Sequence, residues 1–123
     1  MKHTERIAPD IFRQRLLIEG YYERPITRES LAASMLAIAA HLNLRTYADP
    51  IVFSPESGMG KGENAGFDAF VPLVDSGISA YVWSNARFLS ILLYTCKAFD
   101  ETAAIEFAKK EFGLAGQTET LPF

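Results

Sequence analysis

Residues 67–96 read FDAFVPLV, DSG, ISAYVW, SNA and RFLSILLYTC, three apolar runs separated by two short breaks. The runs are rich in β-branched and aromatic residues, and the breaks carry the Asp, Ser, Gly and Asn that turns favour. The stretch therefore predicts successive strands at 67–74, 78–83 and 87–96, joined by tight connections. In the first run Phe67, Ala69, Val71 and Leu73 alternate with Asp68, Phe70, Pro72 and Val74, which assigns the two sets to opposite sheet faces. Pro72 cannot donate to a ladder and predicts an edge or a bulge.

Upstream, RQRLLIEGYY (13–22) predicts a strand with a bulge at Gly20, and Arg24-Pro25 ends it. A helix follows. Thr27 is its N-cap, Ile26 and Leu31 occupy the staple positions, and Leu31, Met35, Ile38 and Leu42 form one apolar stripe. His41 falls at the end of this helix, where a surface position suits it. Residues 48–54 (ADPIVFS) predict another strand, and 55–66 form a glycine-rich loop. Downstream, Asp100 caps a helix over 101–112 whose stripe is Ile105, Ala108 and Phe112, and Gly113 suits its C-terminal cap.

The order β-α-β-β-β-β-α predicts an α+β two-layer sandwich, a mostly antiparallel sheet with two helices on one face. One domain spans 1–123, with 1–10 and 114–123 flexible or peripheral.

The composition bounds the function. The 123 residues hold 12 Lys+Arg, 15 Asp+Glu and 49% hydrophobic residues, for a net charge of −3. With a pI near 5.3, the chain lacks the basic face that nucleic-acid binding needs. One cysteine forbids an internal disulfide, and Cys96 with two distant histidines, His3 and His41, makes no metal site. The N-terminus has no apolar run of a signal peptide, and 31–42, the longest mostly apolar stretch, is too short to span a membrane. A soluble cytoplasmic protein with no membrane and no nucleic-acid partner is expected.

Single residues add little by themselves. Gly60 to Ala65 fits a relaxed G-x-G-x-x-A pattern, but a strand rather than a helix follows, so a plain surface loop is favoured over a flap. Cys96 at the end of an apolar strand reads as a small buried hydrophobe, and Ser76 as a turn residue.

Together they carry more. Asp75-Ser76-Gly77-Ile78-Ser79-Ala80-Tyr81-Val82-Trp83, followed by Tyr94-Thr95-Cys96, resembles the core of the short prokaryotic S-adenosylmethionine decarboxylases. That family has an acidic residue before a serine, an aromatic seven places after it and a cysteine twenty places after it. Ser76, Trp83 and Cys96 keep those spacings.

The resemblance implies self-processing at Asp75-Ser76. The serine hydroxyl attacks the preceding carbonyl, β-elimination splits the chain, and Ser76 becomes a pyruvoyl cofactor. The pyruvoyl ketone forms a Schiff base with the substrate amine and acts as electron sink for loss of CO₂. Cys96 matches the residue that returns a proton to the α-carbon, and burial would keep it a protonated thiol. Trp83 and Asn85 match substrate-binding positions, and Asp68 falls on a processing position. The substrate implied is S-adenosylmethionine or a related amino acid such as ornithine or arginine. The setting implied is polyamine biosynthesis, with a homodimer whose sites lie near the subunit interface and no metal.

Three positions depart from the family. Tyr81 stands in place of a processing histidine; a phenol is a poor base at neutral pH, though it can donate a proton. Gly77 replaces another histidine, and Ser84-Asn85 replaces a Pro-Glu pair. Two readings follow: a pyruvoyl-dependent decarboxylase, motivated by Ser76 and Cys96, or an unprocessed, non-catalytic paralogue acting as a binding or regulatory subunit.

Overall fold

The computed structural model describes residues 7–54 and 65–123. The G-x-G-x-x-A match and the glycine-rich loop fall largely outside them, as does most of the N-terminal arm.

The chain runs β1 (Gln14–Tyr22), α1 (Arg28–His41), β2 (Ile51–Phe53), β3 (Gly66–Leu73), β4 (Ser76–Trp83), β5 (Phe88–Thr95), α2 (Glu101–Phe112) and β6 (Leu114–Pro122). The strands form one antiparallel sheet in the order β2-β3-β4-β5-β1-β6. Both helices lie on one face, giving the α+β two-layer sandwich. Neither is long and apolar enough to cross a membrane.

The core forms where helix and sheet stripes meet. Leu31, Met35 and Ile38 of α1 and Ala104, Ala108 and Phe112 of α2 pack over Leu16 and Ile18 (β1), Val71 (β3), Ile78 (β4) and Ile91 (β5), all nearly inaccessible to water. The helix ends are fixed locally. The Thr27 hydroxyl accepts from the Ser30 amide at 3.0 Å while the Ser30 hydroxyl accepts from the Thr27 amide at 2.8 Å, a reciprocal cap. Asp100 Oδ1 accepts from the Ala103 amide at 3.0 Å, and Gly113 closes α2 in the left-handed region at φ 62°.

The structure corrects three expectations. Residues 114–123 are not a loose tail: 114–122 form β6, which pairs along β1. The irregularity expected at Gly20 is real, but Gly20 pairs with Thr118 and Tyr21 with Ala115, so the unpaired residues, Gly116 and Gln117, belong to β6. Pro72 lies in β3, one strand in from the edge, yet β2 has ended at its level. The Tyr47 amide donates to the Pro72 carbonyl at 2.9 Å, and nothing there requires a proline N–H.

Candidate functional site

The β3–β4 hairpin carries the Asp75-Ser76 bond. The expected break at 75–77 lies earlier: Val74 and Asp75 form the turn, Leu73 pairs with Ser76, and Ser76 and Gly77 already belong to β4. Two-residue hairpins favour positive φ at their central residues, which suits Gly and Asn. Neither Val74 nor Asp75 adopts it. The conformational burden falls on Ser76, at φ 129°, a region nearly reserved for glycine that costs about 1–3 kcal/mol.

The groups around Ser76 are few. The Cys96 amide donates to the Asp75 carbonyl at 2.8 Å, so the carbonyl preceding Ser76 is already polarised by a fixed N–H. Thr95, opposite Ser76 on β5, is buried and donates its hydroxyl to the Lys97 carbonyl at 2.6 Å. Asp75 Oδ2 is buried and accepts no hydrogen bond, a condition that costs about 1–3 kcal/mol. A strained backbone, a polarised carbonyl and an unsatisfied carboxylate oxygen therefore meet at one peptide bond.

Cys96 differs from expectation. It follows the last residue of β5 and is exposed, not the buried hydrophobe expected. An accessible thiol can still donate a proton to a molecule bound beside it.

The remaining candidates form a second group on the sheet face that carries no helix among the described residues. Asp68 and Tyr81 are direct cross-strand partners, and Tyr81 is next paired with Ser90. The Ser90 hydroxyl donates to Glu19 Oε2 at 2.8 Å, and Glu19 stands opposite Glu119. One row across five strands thus reads Asp68, Tyr81, Ser90, Glu19, Glu119. Beside it runs an aromatic row in which Phe88 lies 5.5 Å from Trp83 and 5.4 Å from Tyr21 between ring centroids. On the far side, the Arg15 guanidinium sits 4.5 Å from the Phe123 ring centre. Asn85 lies in the β4–β5 turn.

The two groups do not meet within one chain. Tyr81 is five residues along β4 from Ser76, about 17 Å at roughly 3.3 Å per residue, and Trp83 and Asn85 are farther still. Ser90, Glu19 and Glu119 were not identified from sequence. Glu19 gave a usable signal, a carboxylate breaking the apolar run of β1, whereas Ser90 and Glu119 gave none. A cleft of about 410 Å³ between the helices, lined by Arg24, His41, Phe107 and Lys110, holds none of the sequence candidates. There the His41 ring stacks on Phe107 in the helix layer, the ring centroids 4.4 Å apart.

No protein-family model matches the chain, and no curated protein does. A solved structure does match. The fold is similar to that of a solved adenosylmethionine decarboxylase. The crystal structure of the adenosylmethionine decarboxylase from Aquifex aeolicus VF5 superposes with a TM-score of 0.69 over 92% of this chain and 89% of that one, at 15% sequence identity. At that identity the similarity is one of architecture, and the chemistry has to be argued from the side chains.

Proposed function

We propose that the chain is a pyruvoyl-dependent decarboxylase that splits its own backbone between Asp75 and Ser76 and acts on S-adenosylmethionine or a related amino acid. The observation that carries this reading is the state of that one peptide bond. Ser76 is held at a φ of 129°, and the Cys96 amide donates to the Asp75 carbonyl. Attack by the Ser76 hydroxyl on that carbonyl develops negative charge on the oxygen the Cys96 amide already contacts. Moving the acyl group onto the side-chain oxygen frees the strained backbone. The residues present therefore fit the making of a pyruvoyl group at Ser76, which when formed supplies the electron sink for loss of CO₂.

The chain's own residues do the rest. Cys96, which returns a proton to the substrate's α-carbon in this reading, is exposed and one residue past the strand that flanks Ser76. Asp68 and Tyr81 supply polar groups, Tyr81 as a proton donor, and Trp83 and Asn85 contact the substrate. Because these lie about 17 Å or more from Ser76 in one copy, the complete site needs a second copy, whose open face brings them to Cys96. The apolar side chains exposed on that face, Tyr21, Phe53, Phe70 and Leu121 among them, support such a homodimer. The setting proposed is cytoplasmic polyamine synthesis.

The test is intact-protein mass after prolonged incubation. Fragments 1–75 and 76–123, the second beginning with pyruvoyl, are expected, together with CO₂ release from S-adenosylmethionine, ornithine or arginine. One feature favours the alternative of an unprocessed binding or regulatory subunit: the sheet carries Tyr81 where a histidine would serve as base. A single unmodified chain, inert to all three substrates, would establish that alternative.

A further inference from the structure

We propose that the Asp75 carboxylate is the proton acceptor for the Ser76 hydroxyl in the first step of chain splitting. The inference rests on the self-processing reading above and supplies the base which that reading lacks.

Oxygen attack on a peptide carbonyl needs the hydroxyl proton to leave, and among the described residues the other candidate acceptors are distant or engaged elsewhere. Tyr81 and Asp68 stand several residues along the strands from the hairpin end. The Thr95 hydroxyl, opposite Ser76, donates its own proton to the Lys97 carbonyl. His41 is stacked on Phe107 in the helix layer. Asp75 remains, with one carboxylate oxygen buried and unpartnered in the turn that precedes Ser76. Connectivity places it well. With Ser76 Oγ on the Asp75 carbonyl carbon, a proton shared between Oγ and the Asp75 carboxylate closes a seven-membered ring through Asp75's own Cα, Cβ and Cγ. No other residue need move.

The step balances internally. The bond from Ser76 Oγ to the Asp75 carbonyl carbon forms as the carboxylate takes the hydroxyl proton. The carbonyl oxygen takes up negative charge against the Cys96 amide. The bond from that carbon to the Ser76 nitrogen then breaks, its electron pair staying on nitrogen, and the Asp75 carboxylic acid returns the proton to that nitrogen. The products are an ester and a free amine, with the carboxylate regenerated, and no co-reactant is consumed.

The test compares wild type, Asp75→Asn and Asp75→Glu, each incubated with and without hydroxylamine and followed by intact mass. Hydroxylamine intercepts the ester and yields residues 1–75 ending in a hydroxamate. Splitting and hydroxamate formation should both slow roughly 100-fold in Asp75→Asn, as loss of a general base does. Asp75→Glu should stay within tenfold of wild type, and all three should unfold near one temperature. A wild type that splits while Asp75→Asn keeps pace within threefold overturns the role of Asp75 and leaves self-processing standing. Asp75→Glu as slow as Asp75→Asn does the same. A wild type that never splits overturns both.

Discussion

The ring of Phe70 lies over Gly77: a Cβ at position 77 would meet Phe70 Cε1 at 2.5 Å and Cζ at 2.6 Å. The two are diagonal neighbours on the open face, since Phe70 pairs with Ser79 and Gly77 with Pro72. An aromatic ring fills the space a side chain would take. Gly77→Ala should destabilise the protein by about 1 kcal/mol through overpacking. Phe70→Ala should remove most of that penalty in the double variant. A double-mutant cycle by urea unfolding measures it, and strict additivity would show that the ring swings aside freely.

Replacing Ser76 separates backbone strain from hydroxyl chemistry. Ser76→Ala and Ser76→Gly both remove the nucleophile, so neither should split. They differ in whether a Cβ must sit at φ 129°. Ser76→Gly should be the more stable by about 1 kcal/mol, the strain relieved less glycine's entropic cost. Equal thermal midpoints would mean that the turn carries no strain.

The exposed thiol of Cys96 should react at once with a thiol reagent in the folded Ser76→Ala protein, without a lag for unfolding. Stoichiometric labelling of native protein at the rate seen in urea checks this. Cys96→Ala should leave the fold intact and lower CO₂ release at least tenfold.

Gln14 anchors the connection from β5 to α2. Its Nε2 donates to the Phe99 carbonyl at 2.9 Å, and its Oε1 accepts from the Phe99 amide at 3.0 Å, both buried. Gln14→Leu keeps the bulk but strands both backbone groups. The expected loss is about 3 kcal/mol, or roughly 10 °C in thermal midpoint. A shift below about 2 °C would mean that water replaces the amide.

Much of this architecture is written in short-range signals. Thr27, Asp100 and Gly113 declare the helix ends, because caps act within one turn of chain. The alternation in 67–74 correctly separates Asp68, Phe70 and Pro72 from the buried Ala69, Val71 and Leu73. Strand β6 escaped notice because Gly113 read as the end of the last helix and the run LAGQTETLP is mostly small and polar. It is recognisable only through its partner β1. The strain at Ser76 could not be read either, since a serine in a turn is commonplace and its φ is imposed by Val74 and Asp75, which do not adopt positive φ themselves. The row from Asp68 to Glu119 exists only once the strand order is known, since it joins β3, β4 and β5 to β1 and β6, both far from them in sequence.

The strand order has one more consequence. β1 lies between β5 and β6, and β3 lies beside β4. A break before Ser76 would therefore yield two interlocked polypeptides, each lending strands to the other's sheet. They would migrate apart in detergent yet travel as one particle in native buffer, and neither could leave without unravelling the common core.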